Sequence, residues 1–327
     1  MAVYILLIFQ LFSSTLGFLL NSFLSLIIFL TKNEAIGHYK YLLLLYSSSS
    51  ALLGLCHVGT SATFVVSDNS WIFYDRLSIL PYPLSFLLIF TYSVLFLEVF
   101  LVLTASFIYR YLIVCHPSVL QNKSKIHVVA VVTPCTLILI LLGVFVCTGA
   151  WPSVSCQDQH GADFTKSTGK LLTDSSFYFC VNLKSGSHLD WGGVPVVLIY
   201  AVCVWIAVAI IFYCAFKTGY TLKNSFESSE SGKRVQWRIF SMLMLQLLVP
   251  MFFTSVPSTL IMSCAIFGYS VNGYERYFGT MYACTPLLEP IVIFIFMDTY
   301  RKKAKWILFK RKIIPDGISQ TIHSNVL

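Results

Sequence analysis

A seven-helix membrane bundle is the fold class this 327-residue chain predicts, and three observations carry it. Apolar residues make up 57% of the chain and charged ones 11%, too little polar surface to cover a soluble globule. Seven runs long enough to cross a bilayer, which takes about 20 residues, are free or nearly free of Lys, Arg, Asp and Glu. The runs are long and continuous, as helices require, and not the short alternating segments of a barrel. The predicted domain is one all-α bundle, residues 1–301, followed by a basic tail, 302–327.

The first span, 2–30, has no basic segment before it and no small-residue cleavage pattern after it, so it reads as an uncleaved helix. With so few residues before it, no outer ligand-capturing domain is expected. The second, 41–66, carries Ser47 to Ser50, small hydroxyls on all sides of a helix that allow close helix contact. The third, 82–108, runs into Arg110. The fourth and fifth are 128–150 and 194–216. The sixth and seventh, 239–267 and 278–297, contain Pro250, Pro257, Pro286 and Pro290. Each proline frees a carbonyl four residues back and can kink its helix, as Pro134 does in the fourth span, so six and seven are expected to be the moving parts. The tail segment DTYRKKAKWILFKRK interleaves cations with Trp306, Ile307, Leu308 and Phe309, a pattern for lying on an anionic leaflet or for a disordered basic tail.

Lys and Arg set the orientation. The four loops expected on one side hold two, three, five and seven, and the three on the other hold one, three and one, 17 against five. The N-terminus is therefore expected outside and the C-terminus in the cytosol. The net charge of +8 is then a cytosolic property that suits anionic lipid and calls for no nucleic acid. The pattern Asn122-Lys123-Ser124 falls on the cytosolic side and should carry no glycan. Eight of ten Cys lie in or beside apolar runs, where reduced thiols are expected. Cys156 and Cys180 lie in the long polar loop 151–191, and if that loop is extracellular they can form a disulfide.

Few ionisable groups enter the spans, and those that do are functional candidates. Glu98 lies about 18 Å before Arg110, and Glu289 about 18 Å before Arg301, at the helical rise of 1.5 Å per residue. Two carboxyls at similar depth could share a polar network with a proton between them, or each could separately bond a nearby hydroxyl or a carbonyl freed by proline. Arg110 sits at the cytosolic lip between Tyr109 and Tyr111, with no adjacent carboxylate to hold it, and Glu227 and Glu230 lie farther off. His57, inside the second span, is expected to be a packed, satisfied imidazole. No zinc helix, P-loop, CxxC pair or nucleophile elbow is present, and no span carries a Lys for a retinal Schiff base. Neither an enzyme nor a metal or cofactor site is expected.

The run FIYRYLIVCHP with Arg110, the sixth-span text QLLVPMFFTSVP with Gln246, Pro250 and Pro257, the seventh-span ending PLLEPIVIFIFMDTYRK, and LNSFLSLIIFLTKNEAIGHYKYLL from Leu20 together resemble the nematode seven-transmembrane chemoreceptors of the Str class. The resemblance runs from the first span to Arg301. It implies a G-protein-coupled olfactory receptor for a small odorant, in the plasma membrane and on the cilia of sensory neurons. It also implies that Arg110, with Tyr111, His116 and Pro117, looks like the G-protein face of rhodopsin-like receptors. Tyr109 departs from the acid of that pattern, no Cys stands at the outer end of the third span, and Glu289 replaces the Asp usual in the Str pattern.

The mechanism expected is an agonist that enters from outside among spans three, five, six and seven and stabilises a minor state. In that state the proline-hinged spans shift and a cleft at Arg110 admits a G-protein helix. Ligand contacts nominated by depth and side are Tyr92, Glu98, Phe252, Phe253 and Tyr282; the intramembrane switch would use Glu98, Glu289 and the four prolines. The partners are an odorant, a heterotrimeric G protein and membrane lipid, with a homo- or hetero-dimer left open. The competing classes are a ligand-gated ion channel, which would need the opposite orientation, and a proton-coupled transporter of small solutes using Glu98 and Glu289.

Overall fold

The computed structural model describes residues 2–31, 39–67, 69–117, 135–185, 188–224, 230–269, 271 and 275–309. Pro134, the Asn122-Lys123-Ser124 pattern, Glu227 and the tail beyond 309 lie outside the described residues.

Among the described residues six helical segments are long and apolar enough to cross a bilayer, and a bent pair passes the same test when its two helices are taken together. They are α1 (Ala2–Leu30), α2 (Tyr39–Thr60), α3 (Tyr82–Cys115), α4 (Cys135–Gly149), α6 (Gly193–Asn224), a proline-interrupted sixth span, and α9 (Glu275–Phe296). After α4 the chain bends by 84° into α5 (Val154–Thr168). Ser153 caps α5 by accepting from the Cys156 N–H at 3.2 Å, and Gly169 ends it at φ 74°, where a side chain would be strained. Large apolar side chains such as Phe12, Leu141, Trp205 and Phe216 point outward, as suits a lipid solvent.

The sixth span is one continuous helical run in which the α-helical ladder is interrupted at its prolines. Helix α7 (Glu230–Pro250) leads into a π-helical turn at Met251–Ser255, and α8 (Val256–Phe267) follows with Pro257 in its first turn. A widened turn directly after Pro250 accommodates the N–H that proline lacks. In the seventh span Pro286 and Pro290 both lie inside a continuous α9. Helix α10 (Asp298–Phe309) follows, with Lys303 4.3 Å from the Trp306 ring, so the interleaved segment is helical at least to Phe309.

The run read as the second span ends differently. The helix stops at Thr60, Ser61 turns the chain at φ 44°, and Thr63–Ser67 forms strand β1. Strand β1 pairs antiparallel with β2 (Ser70–Tyr74), and β2 with β3 (Tyr178–Asn182) from the long loop. The text TFVVS and SWIFY is β-branched and aromatic at successive positions, which a strand buried on both faces accommodates better than a helix end. A second, two-residue pairing joins β4 (Lys184–Ser185) to β5 (His188–Leu189). The bundle thus has a sheet-capped end and an α10 end, each with its own apolar core.

Candidate functional site

Strand alternation sends successive side chains to opposite faces, and both faces of this sheet are used. Phe64, Trp71, Phe73, Phe179 and Val181 face the bundle and line a cavity. Val65, Ile72, Tyr74, Tyr178 and Cys180 face the other way and pack on Cys156, Phe164 and Leu172. Cys156 and Cys180 are joined by a disulfide, which fastens α5 to β3. Tyr178 lies outside the spans, and burial raises its hydroxyl above the ordinary tyrosine value. The lid is therefore two layers thick.

Beneath it lies a cavity of about 110 Å³, walled by Tyr92 and Phe96 of α3, Tyr200 of α6, Ser258 of α8 and Tyr282 of α9. Drug-sized ligands occupy roughly 300–1,000 Å³, so the space suits a much smaller molecule. The rings interlock: Phe64 is 4.5 Å from Phe73 and 5.8 Å from Tyr282, and Phe73 is 5.2 Å from Tyr92. No ionisable carboxylate, ammonium or guanidinium lines it among the described residues. Its polar side chains carry hydroxyls, with the indole of Trp71 beside them, and the hydroxyl of Tyr200 is buried without a hydrogen-bond partner.

A polar column descends from the cavity along one face of α9. The Tyr282 hydroxyl lies 3.1 Å from Ser258 Oγ, and Thr285 Oγ1 lies 2.9 Å from Thr254 Oγ1 in the π turn. Positions 282, 285 and 289 recur at helical spacing, so they share a face. Glu289, fully buried, accepts from the Tyr46 hydroxyl at 2.7 Å and from the Ser50 hydroxyl. Glu98 accepts from Ser49 at 2.7 Å through Oε1, and its Oε2 has no partner. The two carboxyls thus bond adjacent serines of α2 and do not bond each other. Ser47 meets Ser25 of α1 at 2.8 Å, so the run expected only to allow close packing is also a hydrogen-bonding hub. His57, fully buried, has Nδ1 3.5 Å from Gln10 Nε2 and lies edge-on to Tyr92, while its Nε2 has no partner.

At the α10 end Arg110 is 5% exposed, 6.0 Å from the Tyr39 ring, and its Nη2 has no partner. Asp298, a carboxylate at this end, pairs with Arg238 of α7 and with Arg301. The hydrogen bond from Arg238 holds Asp298 below the usual carboxylate range. The Tyr111 hydroxyl lies 2.9 Å from His116 Nε2, and His116 and Pro117 are exposed at the end of α3.

A model of the family described as serpentine type 7TM GPCR chemoreceptor Str matches residues 6–305. The chain belongs to this family. Among curated proteins, this Str-family chain is similar to the "Serpentine receptor class r-10" proteins of Caenorhabditis elegans and Caenorhabditis briggsae. The first is 21% identical over 90% of this chain and 89% of its own length, the second 21% identical over 92% and 90%. Squid rhodopsin, as a crystal structure, superposes with a TM-score of 0.67 at 13% identity, covering 96% of this chain and 88% of that one. That likeness shows a seven-transmembrane fold.

Of the nominated ligand contacts in this Str chain, Tyr92 and Tyr282 line the cavity. Glu98 sits on Ser49, Phe252 is 62% exposed on the outside of the bundle, and Phe253 packs against the core of the α10 end. The sheet residues, Phe96 and Tyr200 escaped the nomination. The short runs of aromatic and β-branched residues in SWIFY and YFCVN were the signal for the sheet; Phe96 and Tyr200 stand in apolar runs where nothing marks one aromatic from the next.

Proposed function

We propose that this Str receptor binds a small, neutral, largely apolar odorant under the sheet and activates a heterotrimeric G protein at the Arg110 end. One observation carries the reading: Tyr282 is both a wall of the cavity and the start of the hydroxyl column that ties α9 to the proline-interrupted sixth span. A ligand that displaces Tyr282 changes how α8 and α9 meet. A minor state in which α7 swings away at the α10 end is then favoured, and Arg110 becomes available to a G-protein helix.

The orientation that goes with this places the sheet-capped end outside and α10 in the cytosol. The excess of Lys and Arg on the α10 side supports it, and so does the disulfide in the lid, which needs an oxidising compartment. The location proposed is the plasma membrane, on the cilia of sensory neurons. A panel of small neutral volatiles tested on cells bearing the receptor, a promiscuous Gα and a calcium reporter decides the matter. The expected result is a response that disappears when all Gα coupling is removed. One that survives the removal would mean a channel or transporter.

A further inference from the structure

Above the cavity the described residues form a two-layered lid. The inner face of the sheet lines the space, the outer face is covered by α5 and the turn at Leu172, and the two layers are joined covalently. The side wall is different. Helices α6 and α7 meet near the α10 end, where a methyl built on Gly219 would lie 3.5 Å from the Phe240 ring. Toward the sheet-capped end a groove of about 500 Å³ opens between α6 and α8, bordered by Val204 and Trp205 on one side and Val256 and Leu260 on the other. Trp205 and Leu260 are 68% and 53% exposed, in the zone where the bilayer lies.

This groove lies directly beside the cavity. Phe96, Tyr200, Ser258 and Met262 line both. They form a threshold with bilayer on one side and the ligand space on the other. The hydroxyls of Tyr200 and Ser255, buried and unpartnered, border the same passage and offer a hydrogen bond to a molecule moving through it.

Resting on the cavity as the ligand site, we propose that the groove between α6 and α8 is the ligand's way in, from the outer part of the bilayer and not from the water above the lid. The chemical class follows from the route. The ligand must be neutral and apolar enough to concentrate in lipid, because a charged group at that depth costs several kcal/mol. It must also be small enough to pass the aromatic threshold. The membrane then serves as the reservoir from which the receptor samples.

The test uses the full chain in lipid nanodiscs and fluorobenzene as the neutral, lipid-soluble probe, followed by fluorine saturation transfer between lipid-dissolved and protein-bound signals. Ala201 and Ser263 border the groove and not the cavity, so Ala201→Phe and Ser263→Phe narrow the passage and leave the bound probe's contacts intact. Both variants are expected to slow association and dissociation together by roughly tenfold with Kd unchanged, since a route alters rates and not end states. Native rates in both variants would overturn the lateral route, and faster exchange when Cys156→Ser and Cys180→Ser loosen the lid would then assign entry to the capped end. A tighter Kd in the two variants would overturn it as well, since that marks a lipid chain competing for the groove. If the native chain gives no saturable signal that Val181→Trp removes by filling the cavity, the cavity reading itself falls, a failure distinct from unchanged kinetics.

Discussion

Asn21 of α1 donates its side-chain amide to the backbone carbonyl of Pro286 on α9, at 2.5 Å. Pro290, four residues on, has no N–H for that carbonyl, so the amide replaces the missing helical donor. The same amide reaches the Gly17 carbonyl at 2.9 Å. Glycine is required there: an added Cβ at Gly17 would lie 3.0 Å from the backbone of Pro286 and Leu287. Two helices far apart in sequence are therefore held where α9 lacks a rung of its own.

Asn21→Ala leaves that carbonyl unpaired in apolar surroundings, at a cost of about 1–3 kcal/mol. Thermal unfolding of the detergent-purified receptor should show a lowered Tm. A native Tm would mean that another donor serves the carbonyl.

Glu98 and Glu289 are linked through Ser49 and Ser50, neighbours on α2, and not by direct contact. Glu289→Gln should disturb G-protein signalling more than Glu98→Gln, because Glu289 accepts two hydrogen bonds and Glu98 one. The double variant should depart from additivity by about 1 kcal/mol if α2 couples them. Simple addition in dose–response curves would show two independent sites.

Arg238 and Asp298 tie the α10 end of α7 to the start of α10. Asp298→Asn should loosen α7 and raise basal signalling, read as agonist-free calcium reporter output; unchanged output would reduce the pair to a surface contact of little energetic weight. The sign of the pH effect follows from the lowered carboxyl value. The pair's contribution is present above the ordinary aspartate pKa and is lost only as pH falls through the lower, folded one. A fluorophore on α7 should therefore report no release between pH 7.5 and about 5.

The Tyr200 hydroxyl, buried on the cavity wall without a partner, is free to meet a ligand atom. Tyr200→Phe keeps the ring and removes the hydrogen bond. Agonist potency should fall about three- to tenfold, the worth of one neutral hydrogen bond, with surface expression unchanged. Equal potency would show that the agonist binds by shape alone.

The bundle was legible because its physical signal is coarse: runs of apolar text long enough to cross a membrane, interrupted by few charges. The prolines were legible too, since the missing N–H of Pro250 and Pro290 has structural consequences whatever surrounds it. What could not be read was which way side chains face in a helix apolar on all sides. Phe252 and Phe253 are adjacent in sequence on the π turn, yet one faces outward and the other packs against the core. The serine run shows the same limit. Hydroxyls that suit close packing also suit carboxylates, and only the positions of Glu98 and Glu289 on other helices decide between the two. The sheet was hidden because β1 continues an apolar run that composition alone assigns to α2.

The lid has an evolutionary consequence. Residues that line the cavity from above, such as Trp71 and Val181, sit on strands, whereas Thr254, Thr285 and Glu289, which bond the sixth span, α9 and α2 together, sit deeper in the bundle. A change at Trp71 alters what fits and leaves those bonds intact. Alternation on the same strands lets the outer-face residues keep the lid fastened while the inner ones vary. On the function proposed above, recognition and transmission would then diverge separately, and a receptor of this build would acquire a new odorant without relearning how to signal.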